Sequence, residues 1–184
     1  MKRILLVNPP IFDFSAYDFW LKPYGVLRVG GYLRDRAELR LFDFLDRFHP
    51  SVSGQAGVRA DSWGRGKFPA DEVEKPSVLM ETRRRFRRYG LSTEVFAEFL
   101  QSQPAFDVAL IQTSMTYWYP GVSEVLDTIR RIRPTTKTVL GGVYATICPQ
   151  HAATLGADFV VSGSELAPLW EYLDLQPDSG QPPF

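Results

Sequence analysis

The sequence predicts an α/β fold in which a doubly wound, five-stranded parallel sheet carries helices on both faces. Three observations lead there. Short apolar runs of strand length alternate with amphipathic stretches of helix length along the chain. Their spacing leaves room for a helical crossover between successive strands, which makes the pairing parallel and the crossovers right-handed. The 184 residues are 45% apolar and 23% charged, an ordinary globular balance with enough chain for one sizeable core. The expected strand order is 2-1-3-4-5, the flavodoxin-like, Rossmann-like arrangement.

The elements follow in order. Residues 3–8 (RILLVN) form a short apolar run stopped by Pro9-Pro10 and read as a buried strand. Residues 24–35 (YGVLRVGGYLRD) place Val26, Leu27, Val29, Gly30 and Leu33 near one side of a helix, with Arg28 and Arg34 outside. Residues 39–44 (LRLFDF) are the second strand. Residues 92–102 (STEVFAEFLQS) are a helix capped by Ser92, with Glu94 in its first turn. Residues 107–113 (DVALIQT) are the third strand. Residues 122–131 (VSEVLDTIRR) are a helix with Val122, Val125, Leu126 and Ile129 on one face. Residues 137–140 lead into Gly141-Gly142 as the fourth strand, residues 149–155 are a short helix, residues 158–162 (DFVVS) the fifth strand, and residues 165–173 the last helix.

One stretch breaks this rhythm. Residues 46–91 contain no clean strand, hold Gly54, Gly57, Gly64 and Gly66, and end in an arginine-rich segment. They read as an insertion in the second crossover, partly loop, with one helix near residues 80–88. The domain is expected to span residues 1–173. Residues 174–184 have linker composition and point to a longer parent chain.

Composition excludes several functions. Lys+Arg and Asp+Glu both number 21, so the balanced charge argues against a general nucleic-acid binder. No run of about 18 apolar residues exists to span a membrane. No secretory signal opens the chain, so a cytoplasmic protein is expected. A single cysteine, Cys148, leaves no internal disulfide and no multi-cysteine metal cluster within these residues.

In open parallel sheets the ligand sits beyond the carboxyl ends of the strands. That rule selects Asn8-Pro9-Pro10, residues 43–46, Thr113-Ser114-Met115-Thr116, residues 141–146 and residues 162–165. Three phosphate chemistries lack their residues. A dinucleotide site needs G-x-G-x-x-G after the first strand, and Gly25, Gly30 and Gly31 come too late with the wrong spacing. A flavodoxin-type phosphate loop would need amide donors where Pro9 and Pro10 supply none. A receiver domain needs an acceptor aspartate where Thr113-Ser114 stands. What remains is a cluster of three hydroxyls after the third strand and a glycine pair after the fourth. Gly141-Gly142 serves either a tight strand-to-loop turn or the close approach of a bulky group.

The residues resemble a family at this point. LLVNPP (5–10), GVLRVGGYLR (25–34), FD (42–43), DVALI (107–111), LGGVYAT (140–146) and ADFVVSGSE (157–165) resemble, in order and spacing, the cobalamin-binding-type domain at the N-terminus of radical SAM enzymes. The resemblance covers nearly the whole chain apart from residues 46–91, and TSMTYWYPG (113–121) looks like a subgroup signature. It implies cobalamin held by Asn8, Pro9, Thr113, Ser114, Thr116, Gly141, Gly142, Tyr144, Gly163 and Glu165. Of these, Ser114, Thr116 and the glycine pair would line the slot for the cobalamin nucleotide tail. Family members that replace the lower axial base carry D-x-H-x-x-G after the first strand. Asn8-Pro9-Pro10-Ile11-Phe12-Asp13 has no histidine, so cobalt would lack a lower imidazole from this loop, and the domain is expected either to hold cobalamin in that way or to keep the fold and use the slot to position a small-molecule substrate. The usual G-E-G-E appears as Ser162-Gly163-Ser164-Glu165. The 4Fe-4S cluster and S-adenosylmethionine would belong to a C-terminal radical SAM domain beyond Phe184, because C-x-x-x-C-x-x-C is not in these residues.

No catalytic constellation is visible, so this stretch is expected to bind rather than catalyse, with no metal ligands of its own. His151 reads as a helix-start residue before a metal ligand, and Cys148 as a small, partly buried one. Tyr117-Trp118-Tyr119 and the aromatics Phe12, Phe14, Tyr17, Phe19 and Trp20 suit a site wall or a domain interface. The run from Arg83 to Arg88 reads first as a solvated helix face balanced by Asp71, Glu72, Glu74 and Glu81. The alternative function is a non-catalytic interaction module, without cofactor, whose aromatic loops and arginine-rich segment dock a partner domain.

Overall fold

The computed structural model describes residues 1–52 and 60–175. Gly54, Gly57 and residues 176–184 of the expected linker lie outside them. The elements in chain order are β1 (Lys2–Asn8), β2 (Ile11–Asp13), α1 (Tyr24–Leu33), β3 (Ala37–Asp43), β4 (Ala70–Glu72), β5 (Arg87–Tyr89), α2 (Thr93–Ser102), β6 (Val108–Thr113), α3 (Tyr119–Ile132), β7 (Lys137–Gly142), α4 (Val143–Ile147), α5 (Pro149–Thr154), β8 (Phe159–Val160) and α6 (Ala167–Leu173). Among the described residues no helix is long and apolar enough to cross a membrane.

The main sheet is parallel throughout, in the order β3-β1-β6-β7-β8. Counted along the chain, that is 2-1-3-4-5, the predicted arrangement. Side chains alternate across each strand, so each strand feeds two cores. Ile4, Leu6, Leu110, Val139 and Val161 face α1 and α6, packing with Val26, Leu33, Leu169 and Leu173. Leu5, Val7, Ala109, Ile111 and Leu140 face α2 to α5, packing with Phe96, Leu100, Val125, Leu126 and Ala152. Burial on both faces is why these strands read as continuous apolar runs. Gly30 lets α1 sit close to the sheet: a Cβ there would lie 2.7 Å from Leu6 Cδ1.

Local signals account for the helices. Ser92 Oγ accepts the Val95 N–H at 3.4 Å and opens α2 as expected. Pro120 in the first turn of α3 loses no hydrogen bond there. The fifth strand is shorter than expected, pairing only Phe159 and Val160 with β7. A one-and-a-half-turn helix, α4, follows Gly142 directly where a loop was expected.

Residues 46–91 differ most from expectation. Among the described residues they hold two strands, and residues 80–88 are not helical. β4 and β5 join β2 in an antiparallel sheet of order β2-β5-β4. The arginine run is extended because Phe86, Arg88 and Tyr89 are buried while Arg83, Arg84 and Arg85 are exposed. Arg88 is 7% exposed, not solvated; its guanidinium makes a forked contact with Glu124 of α3, Nη2 to Oε1 at 2.6 Å and Nε to Oε2 at 2.9 Å. Thr93 Oγ1 donates to the same carboxylate at 2.7 Å. Arg85 keeps the surface role, 3.4 Å from Glu72. A small core of Ile11, Leu45, Phe68 and Tyr89 fastens this sheet beside the main one, with Trp118 packed against it.

Candidate cofactor-binding site

Every strand of the parallel sheet ends on one edge, and α1 and α6 flank that edge on one face. They leave a cavity of about 620 Å³ over β6, β7 and β8, within the ordinary range for small-molecule sites. The alternation of each strand decides what reaches it. On β6, Leu110 and Gln112 face the cavity. On β7, Val139 and Gly141 do. Val161 completes the floor, and Val26, Val29 and Tyr32 of α1 oppose Leu169 and Trp170 of α6. The Tyr32 and Trp170 rings meet edge to face, 6.1 Å between centroids. Polar groups are few: Arg28 on α1, Gln112 in the floor, and Ser164 and Glu165 on the loop before α6.

The two glycines of the fourth strand do different jobs. At Gly141 a Cβ would meet only Val161 Cβ, at 3.7 Å, an ordinary contact. Gly141 therefore keeps open a space that a side chain would fill. Gly142 has φ of 115°, and a Cβ there would sit 2.3 Å from the Thr113 carbonyl oxygen. Backbone geometry alone demands glycine at 142. The turn and the close approach, open alternatives in the sequence, fall on adjacent residues.

The other expected site residues separate into groups. Gly163 and Glu165 line the cavity rim with Gly141 and Gly142. Ser114 and Thr116 are not among its lining residues. β6 ends at Thr113, and the chain then turns toward the opposite face, through a 3-10 turn at Thr116–Trp118 into α3. Ser114 instead borders a small pocket with Asn8, Pro9, Lys22 and Trp118. Thr113 is buried on the opposite face. Its hydroxyl donates to the Gly141 carbonyl at 3.1 Å and accepts the Ala145 N–H at 3.0 Å, tying α4 to the sheet.

Tyr144 lies on that opposite face as well, 1% exposed, with its hydroxyl hydrogen-bonded to His151 Nδ1. Burial, with Cys148 and Tyr119 nearby, pushes the Tyr144 phenol up to about 12. Tyr119 lays its ring edge-on to His151, 4.9 Å away. Asn8 is buried at the end of β1 and donates from Nδ2 to Asp43 Oδ1 at 2.7 Å. Burial raises the Asp43 carboxyl, against the lowering effect of the Asn8 and Leu45 hydrogen bonds. Pro9 and Pro10 are buried, and Gly121 packs so tightly on Pro10 that a Cβ would reach its carbonyl oxygen at 2.0 Å. The segment after β1 is thus sealed by packing and continues into β2. It offers no imidazole to the edge.

The sequence reading missed Gln112, Arg28, Tyr32 and Trp170. Gln112 was legible by parity, since 108, 110 and 112 share one face of β6 and 113 the other. Its Oε1 accepts the Val26 N–H at 3.0 Å, bridging the sheet to the first turn of α1 and leaving its NH2 group to donate elsewhere. Among the described residues no group of three or more His, Cys, Asp and Glu side chains is placed to hold a metal ion.

Two solved structures are similar in outline. The response regulator protein TrrA from Thermotoga maritima, crystallised in complex with Mg2+-BeF, is 15% identical, with 95% of this chain and 97% of that chain covered and a TM-score of 0.47. The response regulator DrrB, a Thermotoga maritima OmpR/PhoB homolog, is 14% identical, with 95% and 54% covered and a TM-score of 0.42. No curated protein matches the chain. Residues 83–169, which carry β6, β7, β8 and the cavity floor between them, match the model of the B12 binding domain family.

Proposed function

We propose that this chain binds cobalamin, with the nucleotide tail in the cavity between α1 and α6 and no lower histidine from the segment after β1. The observation that carries the reading is Gly141: in a stretch matching the B12 binding domain, it leaves a space that one Cβ would begin to fill, on the floor of an apolar cavity of about 620 Å³. The residues present suit a planar, partly polar tail. Leu110, Val139, Val161 and Leu169 exclude water from it, and Gln112 supplies an amide donor whose oxygen is already committed to Val26. Arg28 and Glu165 at the mouth offer charged contacts to its polar end. Cobalamin, when bound, supplies a cobalt centre able to carry a methyl group, and the protein's share is binding and orientation.

The wider reading is that this is the N-terminal part of a radical SAM enzyme whose cluster and S-adenosylmethionine sit in a following domain. A reading frame continuing past Phe184 into C-x-x-x-C-x-x-C supports it, and a stop codon there refutes it. Cobalamin binding is tested by titrating the protein with hydroxocobalamin, then recording the visible spectrum of the gel-filtration peak. Co-elution without histidine-ligated features is expected; a colourless peak would overturn the reading.

A further inference from the structure

The polar side chains around the cavity are unequally placed. Arg28, Ser164 and Glu165 are exposed at its mouth, whereas Gln112 is half-buried in its floor. The Gln112 amide stands between two glycines. Gly141 lies directly across from it, in register on β7, and leaves the space beside it open. Gly25, at the start of α1, is the other: a Cβ there would lie 3.2 Å from Gln112 Oε1, closer than a side chain normally comes. A larger residue at either position would crowd the amide or fill the space it faces.

The partner of this amide fixes its orientation. A backbone N–H can only donate, so the atom that meets Val26 N at 3.0 Å is the oxygen. That leaves Nε2 with two N–H donors. Among the described residues Nε2 makes no hydrogen bond, and it is not sealed in the packing. Gln112 also borders the small pocket beside Ser114, but that space is about 30 Å³, room for a water and not for a ring. A ring reaches the amide from the cavity of about 620 Å³.

An apolar floor makes such a donor selective. Leu110, Val139 and Val161 beside it offer a ligand no hydrogen bond. A heteroaromatic base carries a ring nitrogen that accepts one, and leaving that nitrogen unmatched among apolar side chains is costly. A hydrocarbon ring has the reverse defect, because it covers the amide donors without using them. We propose that Gln112 sets which corrinoid this chain takes: its amide donates to a ring nitrogen in the base of the nucleotide tail, and it disfavours tails that end in a purely carbocyclic ring. The inference rests on the cobalamin reading above and adds to it the chemical class of the tail.

Two corrinoids and two variants test it. Hydroxocobalamin ends in a benzimidazole. The hydroxo form of p-cresolyl cobamide ends in a phenyl ring tied through oxygen, with no ring nitrogen. Gln112→Glu keeps an oxygen for the Val26 N–H and replaces the donors by a second acceptor. Gln112→Met removes the donors without adding charge. Whatever else distinguishes the two corrinoids is common to all three proteins, so the ratio of their Kd values, read by visible absorption during titration, reports on residue 112. In each variant that ratio is expected to move roughly tenfold or more toward the p-cresolyl form. An unchanged ratio, with hydroxocobalamin still retained by the parent protein, overturns the role of Gln112 and leaves cobalamin binding standing. A shift in Gln112→Glu alone traces to its charge and also overturns that role. Failure of the parent protein to bind either corrinoid overturns the cobalamin reading, and this inference with it.

Discussion

Replacing Gly141 by leucine separates cavity from scaffold. The strand accepts a side chain at 141, since the first atom added meets Val161 Cβ at 3.7 Å and φ is not in the left-handed region. The leucine would lie against Val139, Val161 and Leu110, the apolar floor. Full burial of a leucine side chain is worth about 1.5–3 kcal/mol, and this cavity is open, so a gain near the lower end, about 1–2 kcal/mol, is reasonable. At about 2–4 °C per kcal/mol for a chain this size, the ligand-free protein should melt roughly 2–8 °C higher. Cobalamin must then expel that side chain or lose its own place on the floor. The same about 1–2 kcal/mol reappears as roughly a 5- to 30-fold weaker Kd, before any steric clash is added. Differential scanning fluorimetry and a hydroxocobalamin titration on the same protein read both quantities. A variant that melts higher and binds as tightly as the parent would refute the placement of the tail. A variant that melts lower would refute the reading of Gly141 as open space.

Three further outcomes follow from the same geometry. Gly142→Ala should lose about 3 kcal/mol or more by chemical denaturation, because φ of 115° and a Cβ 2.3 Å from the Thr113 oxygen act together; a loss under about 1 kcal/mol would contradict the backbone reading. Arg88→Met should cost about 3 kcal/mol by stranding Glu124, and adding Glu124→Leu should recover most of it, since a buried pair is replaceable by apolar groups whereas half of one is not. Tyr144 stays protonated in the folded chain up to about 12, against about 10 for a free phenol. The folded state then holds the proton that the unfolded chain has lost, so stability falls as pH rises from about 10 to about 12. Tyr144→Phe should remove that component of the alkaline fall, and an identical fall in both proteins would assign it elsewhere.

β1, β6 and β7 were legible because each is buried on both faces and so reads as a short apolar run, whereas the edge strand β3, with Arg40 and Leu41 exposed, was legible from Leu39, Leu41, Phe42 and Phe44 around Arg40 and Asp43. The small sheet was not. β2, β4 and β5 are three residues each, too short for periodicity, and two of the three residues of β5 are arginine. Only tertiary contact with Glu124 and the Phe44 ring, 5.7 Å from the Arg88 guanidinium, explains a buried arginine there. In the site, composition drew attention to the hydroxyls of Thr113, Ser114 and Thr116, yet a hydroxyl-rich strand end says nothing of which face each residue takes. Counting alternate residues from Leu110 reaches Gln112, not Thr113. The contributions of Arg28, Tyr32 and Trp170 depend on two helices distant in sequence sharing one face, which requires the topology first. Gly141 and Gly142 were visible as a pair, and only the positive φ at 142 divides their roles.

The most direct test of the tail in the cavity compares hydroxocobalamin with cobinamide, a corrinoid that lacks the nucleotide tail. Both are titrated against the same protein and passed through gel filtration, and the visible spectrum of the protein peak is recorded. Retention of hydroxocobalamin, loss of cobinamide and no sign of histidine ligation are the expected results. Equal retention of both would place the binding energy outside the cavity between α1 and α6, and a colourless protein peak with both would contradict cobalamin binding altogether.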